Sequence, residues 1–71
     1  MAVPKSLEVQ LTRDRFDEPL VVVESAIGNG MEASPAQLRA LAVALCRAAE
    51  DAEARSTKDR HFVPMKREYE L

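Results

Sequence analysis

Four groups of residues in this chain have the chemical type for catalysis or ligation. They are the lone thiol Cys46, the lone imidazole His61, the carboxylates Asp14, Asp17 and Glu18, and the run Gly28-Asn29-Gly30. A nucleophilic cysteine needs a lowered pKa and a base beside it. Cys46 has no histidine near it in sequence and falls at the edge of an apolar helical stripe, so it reads as a small buried hydrophobe. His61 ends the polar stretch Lys58-Asp59-Arg60-His61 and reads as a solvated histidine. A calcium loop needs oxygen ligands at set positions, a central glycine and a distal Glu. Asp14, Asp17 and Glu18 lack that spacing and that glycine, and they read as a solvated turn. Gly28-Asn29-Gly30 lies between a strand and a helix, the position of a phosphate-binding loop. A dinucleotide fingerprint needs three spaced glycines in a βαβ unit, so a tight turn is the better reading. No catalytic residue, metal site or cofactor is expected, and the chain reads as a non-enzymatic protein.

Two further groups suit recognition. Arg55, Lys58, Arg60, Lys66 and Arg67 form the one concentrated basic region. Lys and Arg contacts to phosphate supply most non-specific nucleic-acid affinity, and Phe62 and Tyr69 are of the type that stacks on bases. A nucleic-acid-binding regulator using the basic segment 55–67 is therefore the alternative reading. Against it, Asp59, Glu68 and Glu70 dilute the patch, and the net charge is −2. The second group is apolar. Leu20, Val22, Val43, Phe62, Val63, Met65 and Tyr69 are candidate contacts for a second copy or a protein partner. Aromatic residues, Met and Arg are enriched at such surfaces.

The elements that must position these residues follow from periodicity. Residues 1–6 read as a loose lead-in. Leu7, Val9 and Leu11 alternate with Glu8, Gln10 and Thr12, the pattern of a half-buried strand. Asp14 to Pro19 is turn-rich and reads as a hairpin loop, with Phe16 folding back over the core. Leu20 to Ile27 is β-branched and reads as the second strand. Val21, Val23 and Ile27 share one of its faces; Leu20, Val22, Glu24 and Ala26 share the other. Its start is apolar on both faces, so one face calls for a second cover. Gly28-Asn29-Gly30 then tolerates positive φ.

A helix is predicted from Pro35 to about Ala54. Ser34 is a favoured N-cap, Pro35 sits at the first helical position, and Gln37 completes a capping box. Leu38, Leu41, Ala42, Leu45, Ala48, Ala49 and Ala52 form its apolar stripe, while Val43 points to the polar side. Beyond it, residues 56–71 read as an extended or partly disordered tail. Val63, Met65, Tyr69 and Leu71 would share one side of an optional strand that Pro64 confines to a sheet edge.

The resulting fold class is α+β: a small β-hairpin followed by one amphipathic α-helix (ββα), with an optional short C-terminal edge strand, in one domain spanning 1–71. Its core is thin. Eleven of the 71 residues are alanine, and there is no tryptophan. Small side chains bury little area, and area stabilises at roughly 25 cal/mol per Å². Domains this short commonly need a disulfide, a metal or another subunit. One cysteine allows no internal disulfide, and one Cys with one His cannot make the usual four-ligand zinc site. A homodimer is therefore expected to complete the fold, either through the Leu20–Ile27 edge or across the open sheet face. The lone thiol, the lack of a long apolar run and the polar start point to a cytoplasmic protein. The alanine and arginine bias points to a bacterial or phage genome. The expected function is a small protein–protein interaction module, accessory or regulatory to some larger system.

Overall fold

The computed structural model describes residues 2–71. Three antiparallel strands and one helix follow the order β-β-α-β: β1 Ser6–Arg13, β2 Pro19–Val23, α1 Pro35–Ala54 and β3 Met65–Glu70. The sheet order is β2-β1-β3, so the first strand is central. The α+β class is thus seen, but the ββα order is corrected. The optional third strand is integral, and without it β1 would have a bare edge.

The period-two pattern of β1 works as its residue types require. Leu7, Val9 and Leu11 are buried under α1. Val9 pairs with Val23 and Leu11 with Val21 on one side. Leu7 pairs with Tyr69, Val9 with Arg67 and Leu11 with Met65 on the other. Residues directly opposite share a face, so Val21, Val23, Met65, Arg67 and Tyr69 also belong to the helix-covered side. Leu20, Val22, Gln10, Thr12, Lys66 and Glu68 belong to the open side.

Loops carry several corrections. Asp14 closes the hairpin by accepting hydrogen bonds on Oδ1 from the N–H groups of Phe16 and Glu18. Asp17 turns the chain with φ 62°, and Pro19 belongs to the strand. Phe16 does not cover the core; it is exposed, with the Arg15 guanidinium 4.9 Å from its ring centre. The second strand stops at Val23, four residues earlier than its composition predicts. Ser25 causes this: its hydroxyl accepts from the Glu8 N–H and donates to the Ser6 carbonyl, replacing ladder bonds with side-chain ones. Ile27 still packs on the core. Gly28, Asn29 and Gly30 all take positive φ, as the turn reading requires. The lead-in is not loose over its described part, since Ala2 bridges Glu32 and the Leu71 N–H donates to the Lys5 carbonyl. Met1 lies outside the described residues.

The helix starts and stops where its caps dictate. The Ser34 hydroxyl accepts from the Gln37 N–H, and the Gln37 side chain accepts from the Ser34 N–H. Its buried face is Leu41, Ala44, Ala48 and Ala52. This is rotated from the predicted stripe. Leu38, Ala42, Leu45 and Ala49 are exposed on one flank, and Cys46, expected to be buried, is exposed as well. The alanines of this face pack with Leu41 against Leu7, Val9 and Leu11 in one cluster.

Candidate functional site

The five basic residues of segment 55–67 do not converge. Arg55 caps the helix and turns inward, donating to the Leu11 carbonyl at 3.1 Å and to the Val63 carbonyl at 2.5 Å. Lys58 lies 3.4 Å from Glu18, Lys66 lies 3.7 Å from Glu24 on the open face, and Arg67 lies 3.5 Å from Asp51 on the helix face. Arg60 is exposed beside His61. Phe62 does not stand out as a stacking platform. It is half-buried, with two guanidiniums over its ring, Arg55 at 4.5 Å and Arg13 at 5.0 Å from the ring centre. Arg13 also donates to the Thr57 and Asp59 carbonyls, and the buried Thr57 hydroxyl donates to the Asp17 carbonyl. These contacts pin the 55–63 segment to the hairpin end of the sheet. Nothing in sequence links Arg13 to a phenylalanine 49 positions away, so this cluster was invisible before the fold.

Tyr69 is likewise occupied. Its hydroxyl donates to Asp51, and burial followed by that carboxylate raises its pKa above the ordinary phenol value. Val63, ahead of β3, and Met65, at its start, are exposed, and Val43 is exposed on the outer helix surface. Of the predicted contact residues, Leu20 and Val22 are the pair that the fold brings side by side, on the open face of β2. No group of three or more His, Cys, Asp or Glu side chains stands ready to hold a metal among the described residues. A cleft of about 360 Å³ between Val3–Lys5, the start of α1 and Leu71 contains neither Cys46 nor His61. No described helix is long and apolar enough to cross a membrane.

Among the described residues, the main chain of β2 defines the clearest unpartnered surface. In an antiparallel ladder, alternate residues point their N–H and C=O groups at the neighbouring strand. The Glu24 N–H donates to the Glu8 carbonyl at 2.8 Å, in register with the Val9–Val23 pair. Leu20, Val22 and Glu24 therefore point their main chain at β1. Pro19, Val21 and Val23 point theirs at the free edge, which suits Pro19, since it has no donor to offer β1. The edge thus presents two N–H donors and three carbonyl acceptors, with no charged side chain within the strand.

A helix flank continues this edge. Asp51 faces β3, where it meets Tyr69 and Arg67. At 100° per residue, the opposite side of the buried stripe faces β2. It carries Leu38, Ala42, Leu45 and Ala49, with Leu38 at 50% and Leu45 at 37% exposure. Val23, at 38%, lies below them on the strand. Periodicity alone places these helix residues in the monomer's own core, whereas the fold leaves them exposed. No protein family, curated protein or solved structure matches the chain.

Proposed function

We propose that the chain is a small non-enzymatic protein-interaction module. It would serve as an accessory or regulatory component that works by contact. One observation carries the reading: an uncharged edge strand with free main-chain groups borders an exposed apolar helix flank. Natural sheets blunt free edges with charge, proline or a covering element. Here Pro19 protects one end only, and Leu20 to Val23 are apolar. Addition of a strand to such an edge draws affinity from main-chain hydrogen bonds and specificity from flanking side chains.

Capture from a host lysate, with three baits compared, tests the reading. Wild-type protein and Glu70→Ala, altered on the opposite edge, are expected to retain the same proteins, further copies of the chain included. Val23→Pro removes an edge donor and is expected to lose them. Equal recovery on all three baits would remove the β2 edge from any role in binding.

A further inference from the structure

We infer that the occupant of the β2 edge is a second copy of this chain, paired β2 to β2 in antiparallel fashion. The product is a continuous six-stranded sheet with both helices on one face. This inference rests on the interaction reading above and names its partner.

The main chain is self-complementary. A two-fold axis through Val21 lets each Val21 N–H donate to the second copy's Val21 carbonyl, and each Val23 N–H to the second copy's Pro19 carbonyl. An axis through Val22 lets Val21 and Val23 exchange both bonds. Either register satisfies all four edge donors, and the missing donor of Pro19 matters in neither. The side chains agree. With an axis at Val21, Leu20 meets Val22 across the seam, and no charge enters the strand–strand contact. The acidic residues at the strand ends, Glu18 and Glu24, already have Lys58 and Lys66 beside them.

The helices fit the same axis. Antiparallel addition in one sheet keeps both helices on the same side. The helix packs most on β1, next on β2 and least on β3. With strands about 4.8 Å apart, a helix axis midway over β1 and β2 puts the two helices roughly 10 Å apart, at the upper end of the usual packing distance, and an axis over β1 itself puts them roughly 14 Å apart. The flanks that then face each other are those carrying Leu38, Ala42, Leu45 and Ala49, where alanine permits close approach.

Surface area supplies an independent argument. A compact monomer of 7.9 kDa exposes about 4,400 Å². This chain exposes 5153 Å², an excess of about 700 Å² over that figure. A standard interface buries about 800 Å² per partner. The shape points the same way: the radius of gyration is 13.4 Å, against about 11 Å for a compact chain of this length.

Sedimentation equilibrium of the purified full chain, from low micromolar to millimolar concentration, tests the inference. Wild type is expected to be dimeric. Val23→Pro removes two of the four inter-chain bonds and is expected to raise the dissociation constant at least about tenfold. Leu45→Arg, which leaves the strand intact, is expected to do the same, so a folding defect in one variant does not decide the matter. In a Cys46→Ser background, Val21→Cys and Val22→Cys report the register. Self-paired residues lie about 5.5 Å or 4.5 Å apart between Cα atoms, within disulfide reach, so one of the two is expected to cross-link. A dimer that survives both surface variants and cross-links at neither position would place the interface elsewhere and overturn the pairing. A monomer at every concentration overturns it too. If edge-dependent capture from lysate persisted in that case, the interaction reading would stand with a different partner.

Discussion

The two edges of this sheet are built on opposite terms. The β3 edge reads Met-Lys-Arg-Glu-Tyr-Glu, and the main-chain groups it turns outward belong to Lys66, Glu68 and Glu70. Charges on an edge strand discourage a second strand from adding. The β2 edge reads Pro-Leu-Val-Val-Val and has no such defence. The two strands flank the same central strand, pack one half-buried side chain each, Val21 and Tyr69, against the same core and differ in what they show outward. That difference indicates that the open β2 edge is a property of its sequence rather than of sheet size.

The largest expected effect removes the support common to both edges. Leu11 is buried between Val21 and Met65. Leu11→Ala is expected to cost about 2–5 kcal/mol, most of the stability of a chain this short. A urea melt followed by circular dichroism should show little or no folded baseline; a midpoint close to wild type would mean that β1 is not the keystone.

Next comes a change on the β3 side alone. Arg55→Ala deletes charged donors to the Leu11 and Val63 carbonyls and the nearer of the two guanidiniums over the Phe62 ring. Hydrogen bonds to charged groups contribute about 1.5–3 kcal/mol where buried, and partial exposure places this one at the lower end. The expected outcome is a lower urea midpoint with β2 edge behaviour unchanged, read by comparing unfolding with dimer dissociation.

Exchanging the character of the edges sharpens the contrast further. Val22→Lys gives β2 a charge like those of β3 and should weaken self-association several-fold. Lys66→Val with Glu68→Val strips β3 and should promote higher assemblies, seen by light scattering. If neither variant alters association, edge charge is not what separates the two strands.

The smallest effect is a pH dependence confined to β3. Burial and the Asp51 hydrogen bond favour the neutral Tyr69 phenol, so its folded pKa lies above its unfolded one. The stabilisation is therefore fully present below the unfolded value, about 10. It is lost as pH rises through the folded value, when a phenolate would face the Asp51 carboxylate. Stability should fall in alkaline solution above that point for wild type. Tyr69→Phe should show a flatter profile there and a slightly lower melting temperature at neutral pH.

Much of this architecture could be read from local pattern. The alternation of Leu7, Val9 and Leu11, the capping box of Ser34 and Gln37 and the positive-φ run at 28–30 are short-range features, and each appears where its residues demand. What failed was non-local. The helix buries Ala44, Ala48 and Ala52 and leaves Leu38 and Leu45 exposed, which a periodicity count that weights leucine above alanine cannot see. The length of β2 depended on the Ser25 hydroxyl reaching Ser6 and Glu8. The role of Phe62 depended on Arg13, which only the fold brings near. The candidate surface was half legible: Leu20 and Val22 stood out as an uncovered run, whereas Leu38 and Leu45 became available only once the helix had turned its alanines inward.

The central position of β1 has a kinetic consequence. Its amides divide by parity, with Gln10 and Thr12 held by β2 and Leu7, Val9 and Leu11 held by β3. The β1–β2 hairpin closes over five residues and belongs to the microsecond class of events. The β1–β3 pairing must close a loop of about fifty residues, which costs more chain entropy. β3 is then the strand expected to add last and to leave first. Hydrogen exchange under mild denaturant should show a single strand releasing every second amide together, a comb pattern that records the order in which the sheet is assembled.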